Sequence, residues 1–121
     1  AVARHPFLPS HPQHELAVRQ MTLGGTLVTI DIALPEGVDP HGPEAKAAAF
    51  RFLDALRIVG ISNNLGDAKS IATHPATTTH RKLRAEGRAA VGMCDATVRL
   101  SIGLEDVEDL RDDLERALAA V

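Results

Sequence analysis

Residues 96–102 read Ala96-Thr-Val-Arg-Leu-Ser-Ile102 and alternate between apolar and polar side chains. Successive side chains of an extended chain point to opposite faces, so Arg99 shares a face with its polar neighbours and the apolar residues share the other. This pattern predicts a β-strand that buries one face. Gly103 ends the strand, and the acidic residues from Glu105 onwards are typical of the first turn of a helix, whose amino-terminal end is positive.

The rest of the chain supplies more strands and several helices. Apolar and β-branched residues predict further strands over 26–34, 58–61 and 70–74. Helices are predicted over 12–21, from Pro43 to about residue 57, after Thr79, and from Glu105 to the last residue. These elements predict an α+β fold with about four mainly antiparallel strands and with the helices packed on one face of the sheet.

Apolar residues at helical spacing predict which faces of the two longest helices are buried. One stripe lies in the helix that begins at Pro43 and consists of Ala45, Ala48, Ala49, Phe52, Leu53 and Leu56. The other lies in the last helix and consists of Val107, Leu110, Leu114, Ala117, Leu118 and Val121. We expect both stripes to pack against the apolar face of the sheet.

The distribution of proline predicts the domain organisation. Residues 1–12 contain three prolines, which disfavour regular structure, so residues 1–24 are predicted to be a lead-in segment with a linker helix. Residues 25–121 are predicted to form one small α+β domain. The sequence begins Ala1-Val-Ala rather than with methionine, and we expect it to belong to a longer protein.

The composition argues against several classes of protein. The chain has 121 residues, of which 45% are apolar and 24% are charged, with a net charge of −3, as in a soluble globular domain. A nucleic-acid partner is not expected, because the chain is acidic and has only 3 aromatic residues. A membrane span is not expected, since no apolar run reaches about 20 residues. The single cysteine, Cys94, excludes an internal disulfide and favours the cytoplasm.

Neither a metal site nor a catalytic nucleophile is predicted. The 6 histidines and Cys94 match none of the ligand spacings of zinc sites, such as CxxC or HExxH. Cys94 has no neighbouring base in the sequence that would activate its thiol. We expect the histidines to be surface or turn residues and Cys94 to be a half-buried thiol.

Two places in the sequence are candidates for binding a ligand. The turn Asn63-Asn-Leu-Gly-Asp67 follows a strand predicted to be buried, where backbone N–H groups and amide side chains point at one ligand group. Turns also favour Asn and Gly for conformational reasons alone. The guanidinium of Arg99 suits a planar carboxylate, although an arginine on the polar face of a strand is also compatible with a solvated or ion-paired role.

Three longer runs of sequence carry a resemblance to a known family. They are Leu8-Pro-Ser-His-Pro-Gln-His-Glu-Leu-Ala17, Asn63-Asn-Leu-Gly-Asp-Ala-Lys-Ser-Ile-Ala-Thr-His-Pro-Ala-Thr-Thr-Thr-His80, and Val98-Arg-Leu-Ser-Ile-Gly-Leu-Glu-Asp106. They resemble the carboxyl-terminal part of the Cys/Met-metabolism family of pyridoxal-phosphate enzymes. The resemblance covers nearly the whole chain and implies the small carboxyl-terminal domain of a fold-type-I pyridoxal-phosphate enzyme.

The resemblance implies roles for four residues in substrate binding. Arg99 matches the arginine that binds the α-carboxylate of the substrate, and Asn64 matches a small polar position beside that carboxylate. Asn63 matches a position near the distal end of the substrate, and Thr79 lies near the same pocket in the family. No catalytic or cofactor-binding residue is expected in this chain, because the family's cofactor lysine and phosphate-binding residues lie in a preceding large domain.

The resemblance also implies an activity. The form Asn64-Leu-Gly-Asp67 resembles the sulfhydrylases, which replace the acyl group of a homoserine ester with sulfide in methionine biosynthesis, and favours the O-succinyl ester over the O-acetyl ester. Pyridoxal phosphate would be the cofactor, and the partners would be the protein's own large domain and further copies in a cytoplasmic homotetramer. This chain alone would be inactive. The alternatives are a cystathionine γ-synthase or γ-lyase, and a non-catalytic small-molecule binding module.

Overall fold

A computed structural model describes all residues from 1 to 121. The strands are β1 (Val2–Arg4), β2 (Leu27–Asp31), β3 (Gly60–Ile61), β4 (Ile71–Thr73) and β5 (Thr97–Ser101). The helices are α1 (His14–Gln20), α2 (Pro43–Ala55), α3 (Ala85–Ala90) and α4 (Val107–Leu118), and a short 3₁₀ helix covers Pro75–Thr77. None of these helices has the length and apolar composition that crossing a bilayer requires.

The five strands form one mixed sheet in the order β1-β2-β5-β4-β3. Three pairings are antiparallel, whereas β3 and β4 run parallel. The prediction of about four mainly antiparallel strands is therefore wrong. The sequence does not predict strand β1, because its three residues are all exposed and show no alternation of burial. The strand is recognised only by its backbone pairing with β2.

The apolar face of the sheet carries the core. Val28, Leu100 and Ala72 lie in one row across β2, β5 and β4, and Ile30 pairs with Val98 in the next row. Helices α2 and α4 pack on this face and complete a core of 13 buried residues. This confirms the α+β class, and the burial of an apolar surface of this kind is the main stabilising term of such a fold.

The predicted helical stripes are confirmed in α2 and only partly in α4. Five of the six predicted α2 residues are buried, and the side chain of the sixth, Leu56, is half-buried. In α4, Leu110 and Ala117 are buried, but Val107 is 65% exposed and Leu118 is 41% exposed. Helix α4 is therefore anchored by a narrow stripe, and its two ends present apolar side chains to the outside of this chain.

The helix predicted directly after Thr79 begins later, at Ala85. The threonines before it do not cap that helix, because the Thr78 hydroxyl donates to the backbone carbonyl of His74 at 2.8 Å and so turns back towards β4. Backbone bonds from Arg81 to Thr78 and from Leu83 to His80 then form successive turns. The polar residues of this segment compete with helix formation by this kind of local bonding.

A buried carboxylate ties α4 to the connection between α2 and β3. Asp113 is 0% exposed and accepts hydrogen bonds from the backbone N–H groups of Arg57 at 2.8 Å, Ile58 at 3.0 Å and Val59 at 3.0 Å. Arg116 on the next turn of α4 also bonds to it. Burial raises the pKa of Asp113, but these donors lower it by more, so the pKa lies below its ordinary value.

We predict that Asp113→Ala lowers the free energy of unfolding by about 3 kcal/mol, because three backbone donors lose their acceptor. Urea denaturation of the chain measures this change. The neighbouring substitution Asp112→Ala is the matched control, since Asp112 is exposed and a change there is expected to stay within about 0.5 kcal/mol. Equal effects of the two substitutions would contradict the assigned role of Asp113.

The same carboxylate predicts a dependence of stability on pH. The folded-state pKa of Asp113 is below the ordinary value of 3.8, so the unfolded chain binds more protons and the stabilisation is lost as the pH falls through the folded-state pKa. We predict that the free energy of unfolding falls more steeply below pH 3.8 in the wild type than in Asp113→Ala. Parallel pH profiles of the two proteins would contradict this assignment.

Candidate functional site

The parallel pairing of β3 and β4 places a loop over the polar face of the sheet. The chain leaves the end of β3 and must return to the start of β4, and residues 62–70, here called the 62–70 loop, make this connection. Hydrogen bonds from the loop to Arg99 and Ser101 show that it lies over β5. The loop contains the Asn63–Asp67 turn that the sequence indicated as a candidate ligand site.

Arg99 is held in place by backbone carbonyls of this loop. Its Nη2 donates to the carbonyl oxygens of Asn63 at 2.9 Å and Asn64 at 3.0 Å. The flanking residues Val98 and Leu100 are buried in the core on the opposite face, which fixes the strand beneath it. The guanidinium is therefore oriented by two uncharged acceptors and by the sheet.

The positive charge of Arg99 has no carboxylate partner within the chain. The four ion pairs of the chain involve Arg4, Arg88, Arg111 and Arg116. The Nε of Arg99 is buried and has no hydrogen-bond acceptor. The same is true of the Nε atoms of Arg88 and Arg116, so the lack of a carboxylate partner is what distinguishes Arg99 from them. The remaining Nη donors of Arg99 suit an anionic oxygen. The sequence is also compatible with a solvated or an ion-paired role for Arg99, and the ion-paired role does not apply within this chain.

The two asparagines reach the site in different ways. The Asn63 side chain accepts a hydrogen bond through Oδ1 from the Thr73 hydroxyl at 3.1 Å, so it is tied to β4. The side chain of Asn64 is exposed, and its backbone N–H donates weakly to Ser62 Oγ at 3.3 Å. The structure thus brings Asn63, Asn64 and Arg99 together as one cluster.

Thr79 is bonded outside this cluster. It is exposed, and its hydroxyl lies 2.9 Å from Nδ1 of His80. The preceding threonine, Thr78, connects to the cluster instead, because its Oγ1 lies 3.0 Å from Oγ1 of Thr73. The role of Thr79 in substrate binding stays a prediction.

The sequence does not predict two residues that contact the site, Thr73 and Ser101. Thr73 is the Cα partner of Arg99 across β4 and β5, and Ser101 accepts a hydrogen bond from the backbone N–H of Gly66 at 2.9 Å. Gly66 has φ of 74°, a backbone conformation that favours glycine. The alternation around Arg99 already placed Ser101 on the same face, whereas Thr73 required knowledge of the strand register.

The far end of the 62–70 loop is fastened by Glu105 and Gly103. Glu105 accepts hydrogen bonds from the backbone N–H of Ser70 at 2.6 Å and from its hydroxyl at 2.7 Å, and these bonds lower the pKa of Glu105. The loop passes so close to Gly103 that a Cβ there would lie 2.5 Å from the carbonyl oxygen of Ala68. Glu105 therefore anchors the loop, whereas the cap of α4 is Asp106.

Comparison with known proteins identifies the family to which the chain belongs. The profile of the Cys/Met metabolism PLP-dependent enzyme family matches residues 1–119. This chain belongs to the Cys/Met metabolism PLP-dependent enzyme family. Membership means that the enzymes related to this chain depend on pyridoxal phosphate, as the sequence resemblance implied.

Individual relatives of the Cys/Met metabolism family show the extent of the match. An O-succinylhomoserine sulfhydrylase of Mycobacterium tuberculosis is 58% identical over 116 residues, which are 96% of this chain and 27% of the relative. One of Pseudomonas aeruginosa is 46% identical over 114 residues, which are 94% of this chain and 26% of the relative. A cystathionine gamma synthase from Xanthomonas oryzae pv. oryzae, solved in complex with cystathionine, has a TM-score of 0.84 at 37% identity and covers 99% of this chain and 28% of its own.

The residues of this chain do not by themselves assemble the family's cofactor site. A covalent site for pyridoxal phosphate needs a lysine held beside the substrate, and the 3 lysines of the chain, Lys46, Lys69 and Lys82, are all exposed. The Nζ of Lys46 lies over the ring of Phe50 on α2, 5.3 Å from its centroid. We therefore assign no step on the cofactor to residues of this chain.

We predict that Ser101→Ala speeds hydrogen exchange of the Gly66 amide proton about fivefold, the equivalent of one lost hydrogen bond of about 1 kcal/mol. Hydrogen exchange of the chain followed by NMR measures this rate. Ser62→Ala is the control, because it removes only the exposed 3.3 Å bond to Asn64 and leaves the Gly66 contact intact. Unchanged exchange at Gly66 in Ser101→Ala would show that the loop is not fastened at this point.

Proposed function

We propose that this chain is the carboxyl-terminal part of a pyridoxal-phosphate-dependent O-succinylhomoserine sulfhydrylase. Such an enzyme replaces the succinyl group of O-succinylhomoserine with sulfide and yields homocysteine. The observation that carries the proposal is the unpaired guanidinium of Arg99, held by the carbonyls of Asn63 and Asn64. The relatives at 58% and 46% identity that bear this enzyme's name support the choice of reaction.

In this proposal, the chain binds and orients the substrate. The α-carboxylate accepts hydrogen bonds from the free donors of Arg99, which supplies both charge and direction. The 62–70 loop keeps the guanidinium in one orientation, so part of the entropy of positioning is already lost before the substrate binds. Asn63 and Asn64 border the place where the rest of the substrate would extend.

The remaining parts of the reaction belong, in the same proposal, to the rest of a longer protein. Pyridoxal phosphate supplies the electron sink that this kind of exchange at Cγ needs. The proposal also includes a large domain that holds this cofactor, a homotetrameric assembly and a cytoplasmic location. The chain of 121 residues alone is then expected to produce no homocysteine.

A second candidate function is that of a cystathionine γ-synthase. It is favoured by the TM-score of 0.84 with the enzyme solved in complex with cystathionine. The two candidates differ in the nucleophile, which is sulfide in one case and the thiol of cysteine in the other. Assays of the longer protein with O-succinylhomoserine and each nucleophile distinguish them, and a preference for cysteine would reject the sulfhydrylase.

We predict that Arg99→Ala in the longer protein raises KM for O-succinylhomoserine about 100-fold, because a charge-assisted bond of about 3 kcal/mol is lost. Homocysteine formation from O-succinylhomoserine and sulfide measures this change. The visible absorbance of bound pyridoxal phosphate is expected to stay unchanged, since Arg99 holds the substrate and not the cofactor.

The matched control is Arg111→Ala, which removes an exposed arginine of α4 paired only with Glu108. It is expected to leave KM within about twofold of the wild type, as for other exposed ion pairs. An unchanged KM in Arg99→Ala would remove Arg99 from the substrate site. A longer protein that binds no pyridoxal phosphate would favour the non-catalytic binding module instead.

A further inference from the structure

Strand β5 contacts the 62–70 loop through two side chains on the same face of the sheet. Arg99 donates to the carbonyl oxygens of Asn63 and Asn64. Ser101 lies two residues further along the strand, is 1% exposed and accepts a hydrogen bond from the backbone N–H of Gly66 at 2.9 Å. Residues two apart in a strand point to the same face, so both side chains hold the loop from below. The hydroxyl of Ser101 is buried beneath the loop and contacts the loop rather than a ligand.

The bond to Ser101 holds the middle of the loop. The start of the loop is bonded to β4, and its end is bonded to the segment that follows β5. Of residues 65–67, only Gly66 is hydrogen-bonded to the rest of the protein, through its N–H and the Ser101 hydroxyl. Without this bond, the part of the loop next to the Asn64 carbonyl has no attachment to the sheet beyond Arg99 itself.

The orientation of Arg99 depends on support of this kind, because an arginine side chain is long and has many rotatable bonds. Fixing it in one orientation costs conformational entropy, and acceptors that are already in place reduce what remains to be lost on binding. The carbonyls of Asn63 and Asn64 engage Nη2 and leave Nη1 without a partner in the chain. The direction in which Nη1 points therefore depends on where the loop holds these two carbonyls.

We propose that Ser101 is a positioning residue that, by holding Gly66 of the 62–70 loop, orients Arg99 for the α-carboxylate of the substrate. This inference rests on the proposed function and deepens it, because it assigns the affinity for the carboxylate to the strand and the loop together. Ser101 does not touch the substrate in this proposal and acts only through Arg99. Its removal is therefore expected to weaken ligands that carry an α-carboxylate and no others.

The test compares two ligands that differ only in the α-carboxylate, L-homoserine and 3-aminopropan-1-ol. Each is titrated into the longer protein loaded with pyridoxal phosphate, and the visible absorbance gives an apparent Kd. The variant Ser101→Ala removes the acceptor of the Gly66 N–H. The matched control is Thr97→Val, because Thr97 lies two residues before Arg99 on the same face, is 2% exposed and bonds to Asp31 rather than to the loop.

We expect Ser101→Ala to raise the Kd of L-homoserine about fivefold, as for one lost hydrogen bond, and to change the Kd of 3-aminopropan-1-ol less than about twofold. Thr97→Val is expected to stay within about twofold of the wild type for both ligands, since it shares no partner with the loop. Unchanged binding of L-homoserine in Ser101→Ala would overturn the proposal. Equal weakening of both ligands would overturn it as well, because Ser101 would then support the fold in general.

A double-mutant cycle tests whether Ser101 acts through Arg99. In the Arg99→Ala background, the addition of Ser101→Ala is expected to change the Kd of L-homoserine less than about twofold, because the group that Ser101 positions is already absent. A further loss of about fivefold in that background would overturn the proposal, since the two residues would then act independently.

The outcomes separate this inference from the proposed function. The proposed function would be rejected by a wild-type protein that binds L-homoserine more tightly than 3-aminopropan-1-ol but forms no homocysteine from O-succinylhomoserine and sulfide. The Kd values of the variants would still decide the role of Ser101 in that case. A wild-type protein that does not distinguish the two ligands would overturn both proposals.

Discussion

The parallel pairing of β3 with β4 is the constraint on which the site depends. Two parallel neighbours cannot be joined by a tight turn, so the chain must cross a face of the sheet to begin the second strand. One face is already filled by α2 and α4, and the connection therefore crosses the polar face over β5. The loop that results lies directly on Arg99, and its carbonyls at Asn63 and Asn64 are the only groups that hold the guanidinium.

Arg99 is the only arginine of the chain that is not fully exposed and has no carboxylate partner. The buried carboxylate of Asp113 is satisfied by three backbone donors and by Arg116, and Asp31 on β2 is bonded to Arg4 and to the Thr97 hydroxyl. Charges that serve the fold are thus compensated inside the chain. Arg99 is held only by uncharged oxygens, and it therefore retains a net attraction for an anion.

The sequence predicted those parts of the fold that depend on local pattern. Strand β5 follows from the alternation around Arg99, and α2 follows from an apolar stripe that includes Phe52. Features set by distant pairing were not predictable: strand β1 pairs through its backbone alone, and Thr73 joins the site only through the register of β4 against β5. The sequence predicts only that Glu105 begins a helix, because its actual partner, Ser70, is 35 residues away in the sequence.

We propose that this chain contributes Arg99 as the carboxylate-binding group of an enzyme in the Cys/Met metabolism family. A crystal structure of the longer protein with pyridoxal phosphate and O-succinylhomoserine tests it most directly. The account predicts an α-carboxylate oxygen about 3 Å from a nitrogen of Arg99 and the acyl group on the side of Asn63. A substrate whose carboxylate is bound by another residue, with Arg99 facing solvent, would contradict the account.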